Sequence, residues 1–280
     1  MPEVAPLKRN LSRTFITLKH LIYAVVVLEC IYYFAEDTYV AASLGSTVDS
    51  FASFIQIYSA SIDGGGWLLI LLLFEIETFW MSDATALGST GQRLRRFRLL
   101  LFALPIVAFG GYFLEFLSLY GVSLLELSPC NLIDEGMLVM THLDVFEPLT
   151  LENCHDQSGW YQLGNSDSVI TTGTGLANAR EYMVSEVINA GGWVFVFLLL
   201  QLETRGLFTR SENFGRLRRV VWVTKFLAYT SIFGALFYWY VIDEAVSFLE
   251  EIFWLLAFFC IENNVTARRR NLMGSSLTAQ

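Results

Sequence analysis

Trp67-Leu-Leu-Ile-Leu-Leu-Leu-Phe-Glu-Ile-Glu-Thr78 is the stretch that decides the fold. Its first eight residues are apolar on every helical face, and such a helix needs either the interior of a large protein or lipid. A second run of the same kind is Trp193-Val-Phe-Val-Phe-Leu-Leu-Leu200. The whole 280-residue chain is 54% hydrophobic, 15% aromatic and only 16% charged, with a mean hydropathy of +0.50. A soluble domain carries about 25% charged residues, so lipid is the economical surrounding.

Working outward, six stretches reach the length that crosses a bilayer, namely Phe15–Ala35, Gly64–Ser82, Phe97–Leu119, Val187–Leu207, Val220–Ile242 and Val246–Glu262. About 20 residues at 1.5 Å each span about 30 Å of hydrocarbon. Acidic residues interrupt the second and the sixth. The first is no secretory signal, because it starts well inside the chain, ends in Glu36-Asp37 and lacks a small-residue cleavage site.

Charge placement supplies a topology. With a cytoplasmic N-terminus and six crossings, seventeen of the eighteen basic residues fall on the cytoplasmic side and only Arg180 falls outside. This is the asymmetry of the positive-inside rule. Nineteen of the 27 acids fall on the outer side, where they attract cations and repel anions. The expected location is therefore a plasma or inner membrane, with both termini cytoplasmic and the large loop extracytoplasmic.

The chain also repeats. Gly65-Gly66-Trp67 is followed ten residues later by Glu77-Thr78 and then by Gly91-Gln-Arg93-Leu94-Arg95-Arg96. Gly191-Gly192-Trp193 is followed ten residues later by Glu203-Thr204 and then by Gly215-Arg216-Leu217-Arg218-Arg219. A weaker copy ends in Glu262 and Arg268-Arg269-Arg270. The outgoing helices share a basic start and an acidic outer end, at Glu36-Asp37, Glu115 and Asp243-Glu244. Parallel repeats about an axis along the membrane normal are a known membrane architecture.

The expected fold is thus an all-α integral membrane protein of six transmembrane helices, built from three related hairpins, with an extracytoplasmic loop lobe. Residues 1–96 form the first hairpin with an outer amphipathic segment, 97–214 the second with a large outer loop (122–185), and 215–280 the third with a cytoplasmic tail. Within Asp37–Ile62, the residues Phe51, Phe54, Ile55 and Tyr58 make an apolar stripe at helical spacing. Pro105 with Gly110-Gly111 predicts a kink in the third span. The tryptophan of each Gly-Gly-Trp reads as an interfacial anchor.

Motifs for nucleotide binding, zinc proteases and serine hydrolysis are absent, so no catalytic constellation, cofactor or nucleic-acid partner is expected. Cys130 and Cys154 share the outer loop and suit a disulfide in an oxidising compartment. That pairing, with ordinary surface histidines, outweighs a metal site built from Cys130, His142 and Cys154-His155-Asp156. Arginines 93, 95, 96, 216, 218 and 219 are read as contacts to anionic headgroups.

Acids inside the spans carry the functional expectation: Glu29, Glu75, Glu77, Glu203 and Glu262. A charge at the bilayer centre costs about 2.5–3.5 kcal/mol on insertion scales, so it faces a partner or a cavity. Glu75 and Glu77 lie about 200° apart around a helix and cannot share one face. One reading is conduction of protons or small cations, from an acidic outer vestibule at Glu36, Asp37, Glu115, Asp243 and Glu244 to the intramembrane acids. The bland reading pairs the acids with Lys19, His20, Arg98, Arg205 or Lys225. The alternative function is a non-catalytic accessory or scaffold subunit of a larger membrane complex, and on either reading the chain is expected to be a homo-oligomer or a subunit of a membrane complex.

Overall fold

A computed structural model describes residues 13–82, 85, 88–156, 158–163, 166, 168–204 and 214–277; the side chains of 13, 200–204, 214–218, 262 and 265–277 are not described. The helices are α1 (Arg13–Ser43), α2 (Phe51–Ile57), α3 (Ser59–Glu75), α4 (Ser89–Leu101), α5 (Ala103–Ser118), α6 (Gly173–Thr204), α7 (Phe214–Val241) and α8 (Ala245–Leu277). A π turn, Ile76–Trp80, continues α3.

Among the described residues, five helical segments are long and apolar enough to cross a membrane: Thr14–Ser43, Ser59–Trp80, Ser89–Ser118, Gly173–Leu199 and Arg219–Val241. Their surfaces agree. α1 buries Ile22, Tyr23 and Val26 but exposes Leu21, Leu28 and Ile31 by 60% or more. A helix in water would carry polar groups on that face. The expected sixth crossing, Val246–Glu262, lies in α8, whose apolar run is broken by Glu250 and Glu251 and which is not among the five.

The third span is two helices in succession. Pro105 has no N–H to offer Leu101, and the ladder breaks at Phe102, where α4 gives way to α5. The outer amphipathic stripe is shorter than the sequence suggests. α1 runs on to Ser43, and only Phe51–Ile57 forms a separate helix, started by a reciprocal Ser50–Ser53 capping box.

The expectation of a purely helical chain is corrected at 122–172, which folds into a five-stranded mixed sheet rather than a loop. Its strands are β1 (Ser123–Leu124), β2 (Leu138–His142), β3 (Val145–Pro148), β4 (Trp160–Gln162) and β5 (Val169–Thr172), in the order β1-β4-β5-β2-β3. Only β2 and β5 pair in parallel. Residues 173–185, expected in the same loop, are the first turns of α6.

The chain divides into two compact units. The first comprises Met1–Tyr33, Ser61–Pro105 and Asp243–Gln280, and the second Phe34–Ala60 and Ile106–Ile242. In the first, α3 approaches the start of α5 so closely that a Cβ on Gly66 would sit 2.9 Å from Leu104 Cβ and Pro105 Cδ. In the second, α6 approaches α7, and a Cβ on Gly192 would sit 2.8 Å from Ser231 Oγ and 2.9 Å from Ile232 Cγ1. The neighbouring indoles are buried in protein: Trp67 packs edge-on to Phe258 and beside Phe102, and Trp193 is 7% exposed.

The sheet has an apolar core on each side. One gathers Leu132, Met137, Val139, Leu149, Trp160 and Ile170 around the Cys130–Cys154 disulfide. The other gathers Leu119, Met140, Val169, Leu176 and Met183. The bridge spans a sequence separation of 24. Closing a loop of that size removes about 3 kcal/mol of unfolded-chain entropy on the simplest treatment.

Candidate functional site

α1 and α3 of the first unit each carry ionisable groups at two levels. Along α1, Lys19 and Glu29 are ten residues apart, about 15 Å of helix. Along α3, Asp63 and Glu75 are twelve apart, about 18 Å. Between the levels lie fully buried Val26, Ile70 and Leu71.

The level at Lys19 is closed by opposite charge. Lys19 is completely buried, and its ammonium pairs with Glu75 Oε1 while sitting 3.6 Å from the centre of the Phe79 ring. Tyr23 donates its hydroxyl to Glu75 Oε2 at 3.2 Å, and Asn264 Nδ2 of α8 donates to the same oxygen at 3.0 Å. Glu75 therefore meets three donors, one of them its counter-charge, in an apolar surround, which is what lets a charged pair be buried at all. Asn264 Oδ1 is buried with no hydrogen-bond partner among the described residues.

Two residues on, Glu77 turns to a different helix. Arg95 Nη1 and Arg98 Nη1 of α4 bond to its two oxygens at 2.9 and 2.6 Å. The Arg98 guanidinium is 3.6 Å from the centre of the Phe74 ring. The π turn begins between the two acids, and it sends Phe79 under Lys19 while Glu77 reaches α4. π turns interrupt helices where side chains need re-aiming. α3 is thus held to α1 and α8 by Glu75 and to α4 by Glu77.

The level at Glu29 is built from like charges. Glu250 of α8 is the charge that acts on both Glu29 and Asp63. Tyr33 donates its hydroxyl to Glu250, and Trp67 bonds to Asp63. Glu29 Oε2 is buried and has no hydrogen-bond partner among the described residues. Carboxylates facing one another in an apolar surround have to share a proton or hold a cation.

The second unit contains another acidic group. Glu36 and Asp37 of α1 and Glu115 of α5 come together, and they are joined by Asp144 of the β2–β3 turn and Glu186 of α6. Asp243 and Glu244, expected in the same vestibule, belong to the first unit, in the turn before α8. Sequence reasoning placed Asp63, Asp144, Glu186 and Glu250 on the outer side but not in a site. The available signal was the helical spacing of Asp63 to Trp67 and Glu250 to Trp254, an acid one turn before an indole.

Other expected residues fall as follows. The side chains of Glu203, Glu262, Arg216 and Arg218 lie outside the described residues. Arg93, Arg96 and Arg219 are exposed, whereas Arg95 is spent on Glu77. Cys130 and Cys154 are disulfide-bonded. His155 Nδ1 lies 3.7 Å from Cys130 Sγ, so the trio has the closeness of a ligand set, but its sulfurs are tied to each other. Asp156 is held below the usual carboxylate range by the hydroxyl and backbone N–H of Ser158.

No family model, curated protein or solved structure matches the chain. The fold and the site therefore define only a class: a mostly helical multi-pass membrane protein with buried carboxylates and a small mixed sheet lobe.

Proposed function

We propose that the chain conducts or transports protons or small cations, with Glu29, Asp63 and Glu250 as the group that takes up the ion. One observation carries this: Glu29 Oε2 is buried in an apolar helix with no hydrogen-bond partner among the described residues, and the charge of Glu250 acts on it. Such a group holds no helices together, so its retention in a membrane segment points to an exchangeable partner. The reading keeps six crossings and cytoplasmic termini, supported by the placement of seventeen of eighteen basic residues. The matching close approaches at Gly66 and Gly192 support the internal repeat. The buried apolar residues Val26, Ile70 and Leu71 between the two levels then act as the gate, since narrow apolar constrictions close by dewetting.

The test is flux of protons, Na+ and K+ into proteoliposomes holding the purified chain. Glu29→Gln and Asp63→Asn are each expected to abolish the flux while the folded protein is recovered in normal yield. A wild-type chain that moves none of these ions ends the proposal. A second reading, a scaffold subunit, is favoured by the ion pairs of Glu75 and Glu77, which look after themselves inside the chain. Stoichiometric co-purification with partners, together with absent flux, is its expected signature.

A further inference from the structure

Leu143 lies in the turn between β2 and β3, and Phe146 follows it in β3. Both pack on the core made by Leu119, Met140, Leu176 and Met183, alongside Leu44 of the α1 end and Tyr112 and Phe116 of α5. The turn residue between them is Asp144, in a left-handed conformation with φ 62°. Apolar docking of the hairpin therefore drives a carboxylate in among others. From α1 it meets Glu36 and Asp37, and from α5 it meets Glu115. α6 adds Glu186 beside Glu115 and carries Arg180, whose guanidinium is occupied by the Leu119 carbonyl at 2.8 and 3.0 Å and by the Tyr120 ring at 4.5 Å. The hairpin itself brings His142 and Glu147, both exposed.

Two opposed forces thus share one interface. Burial of Leu143 and Phe146 closes it, and the mutual repulsion of the carboxylates opens it. We infer that the β2–β3 hairpin is a pH-sensitive latch, held shut when Asp144 is protonated and loosened when it ionises. This goes beyond the proposed ion-handling group, which lies in the other unit.

The direction follows from linkage. Burial first, then Glu36 and Asp37, push Asp144 up to about 7. An acid whose docked value lies above its free value binds its proton more tightly when docked. Docking is therefore strongest in acid, weakens as pH rises through the range below about 7, and levels off above it. For one such group the docking equilibrium tightens about tenfold between pH 8 and pH 6.

The experiment is amide hydrogen exchange of the full chain in nanodiscs at pH 8 and pH 6, with rates corrected for intrinsic chemistry. Protection of the amides from Leu143 to Phe146 is expected to rise about tenfold at pH 6, while that of β5 stays constant. Asp144→Asn, which tolerates the left-handed backbone, is expected to stay protected at pH 8 and lose the pH dependence. A Glu36→Gln, Asp37→Asn double variant is expected to shrink it as well. Protection independent of pH in the unmodified chain overturns the inference, as does a full tenfold change retained by Asp144→Asn.

Discussion

Glu75 and Glu29 are the same residue in neighbouring apolar helices of one unit, and their surroundings are opposite. Glu75 has a buried ammonium, a tyrosine hydroxyl and an asparagine amide on its two oxygens. Glu29 has an oxygen with no hydrogen-bond partner among the described residues and the like charge of Glu250 acting on it. An acid in a membrane helix is therefore not one kind of object. Where its compensation comes from the chain, it fastens helices; where it does not, it is available to an ion. Depth and residue type do not tell these apart, whereas partners do.

The largest effect is expected where the chain supplies the compensation. Glu75→Gln or Lys19→Met alone leaves a buried charge without its partner and should cost about 3–5 kcal/mol in denaturant unfolding of the micellar protein. Lys19→Met combined with Glu75→Gln removes both charges and should recover most of that loss. If the double variant is as unstable as the sum of the singles, the pair is not a unit and the comparison weakens. Glu77→Gln should cost less, about 1.5–3 kcal/mol, because one of its two partners, Arg95, is 40% exposed.

Gly66→Ala sharpens the comparison from another side, because it alters packing without touching charge. The added methyl would meet backbone-near atoms of Leu104 and Pro105 at 2.9 Å and should cost about 1–3 kcal/mol. Flux measured on the surviving folded fraction should stay close to normal. The smallest stability effect is expected at Glu29. Glu29→Gln removes a charge that no described group compensates, so it should not lower the unfolding midpoint.

Much of the helical frame was legible because a bilayer demands long apolar runs. The 200° separation of Glu75 and Glu77 was legible too, from helix geometry alone, although the π turn that aims them was not. A π turn leaves no mark in hydropathy. The sheet was missed for a similar reason. Strands of two to five residues give no measurable alternation, and the β2–β5 pairing joins segments about thirty residues apart. The cysteines told where the lobe closes, not what lies inside it. Asp63 and Glu250 were visible as acids but not as neighbours of Glu29, because nothing local in sequence links α1, α3 and α8.

The central claim is that two intramembrane glutamates of one unit have opposite roles, and the same conservative change at each tests it most directly. Flux and unfolding midpoint are measured on the same preparations of Glu29→Gln, Glu75→Gln and the Lys19→Met, Glu75→Gln pair. Glu29→Gln is predicted to lose flux at a midpoint that is not lowered. Glu75→Gln is predicted to lose stability, with both stability and flux returning in the paired variant. Normal flux through Glu29→Gln, or lost flux at full stability in the paired variant, contradicts the account.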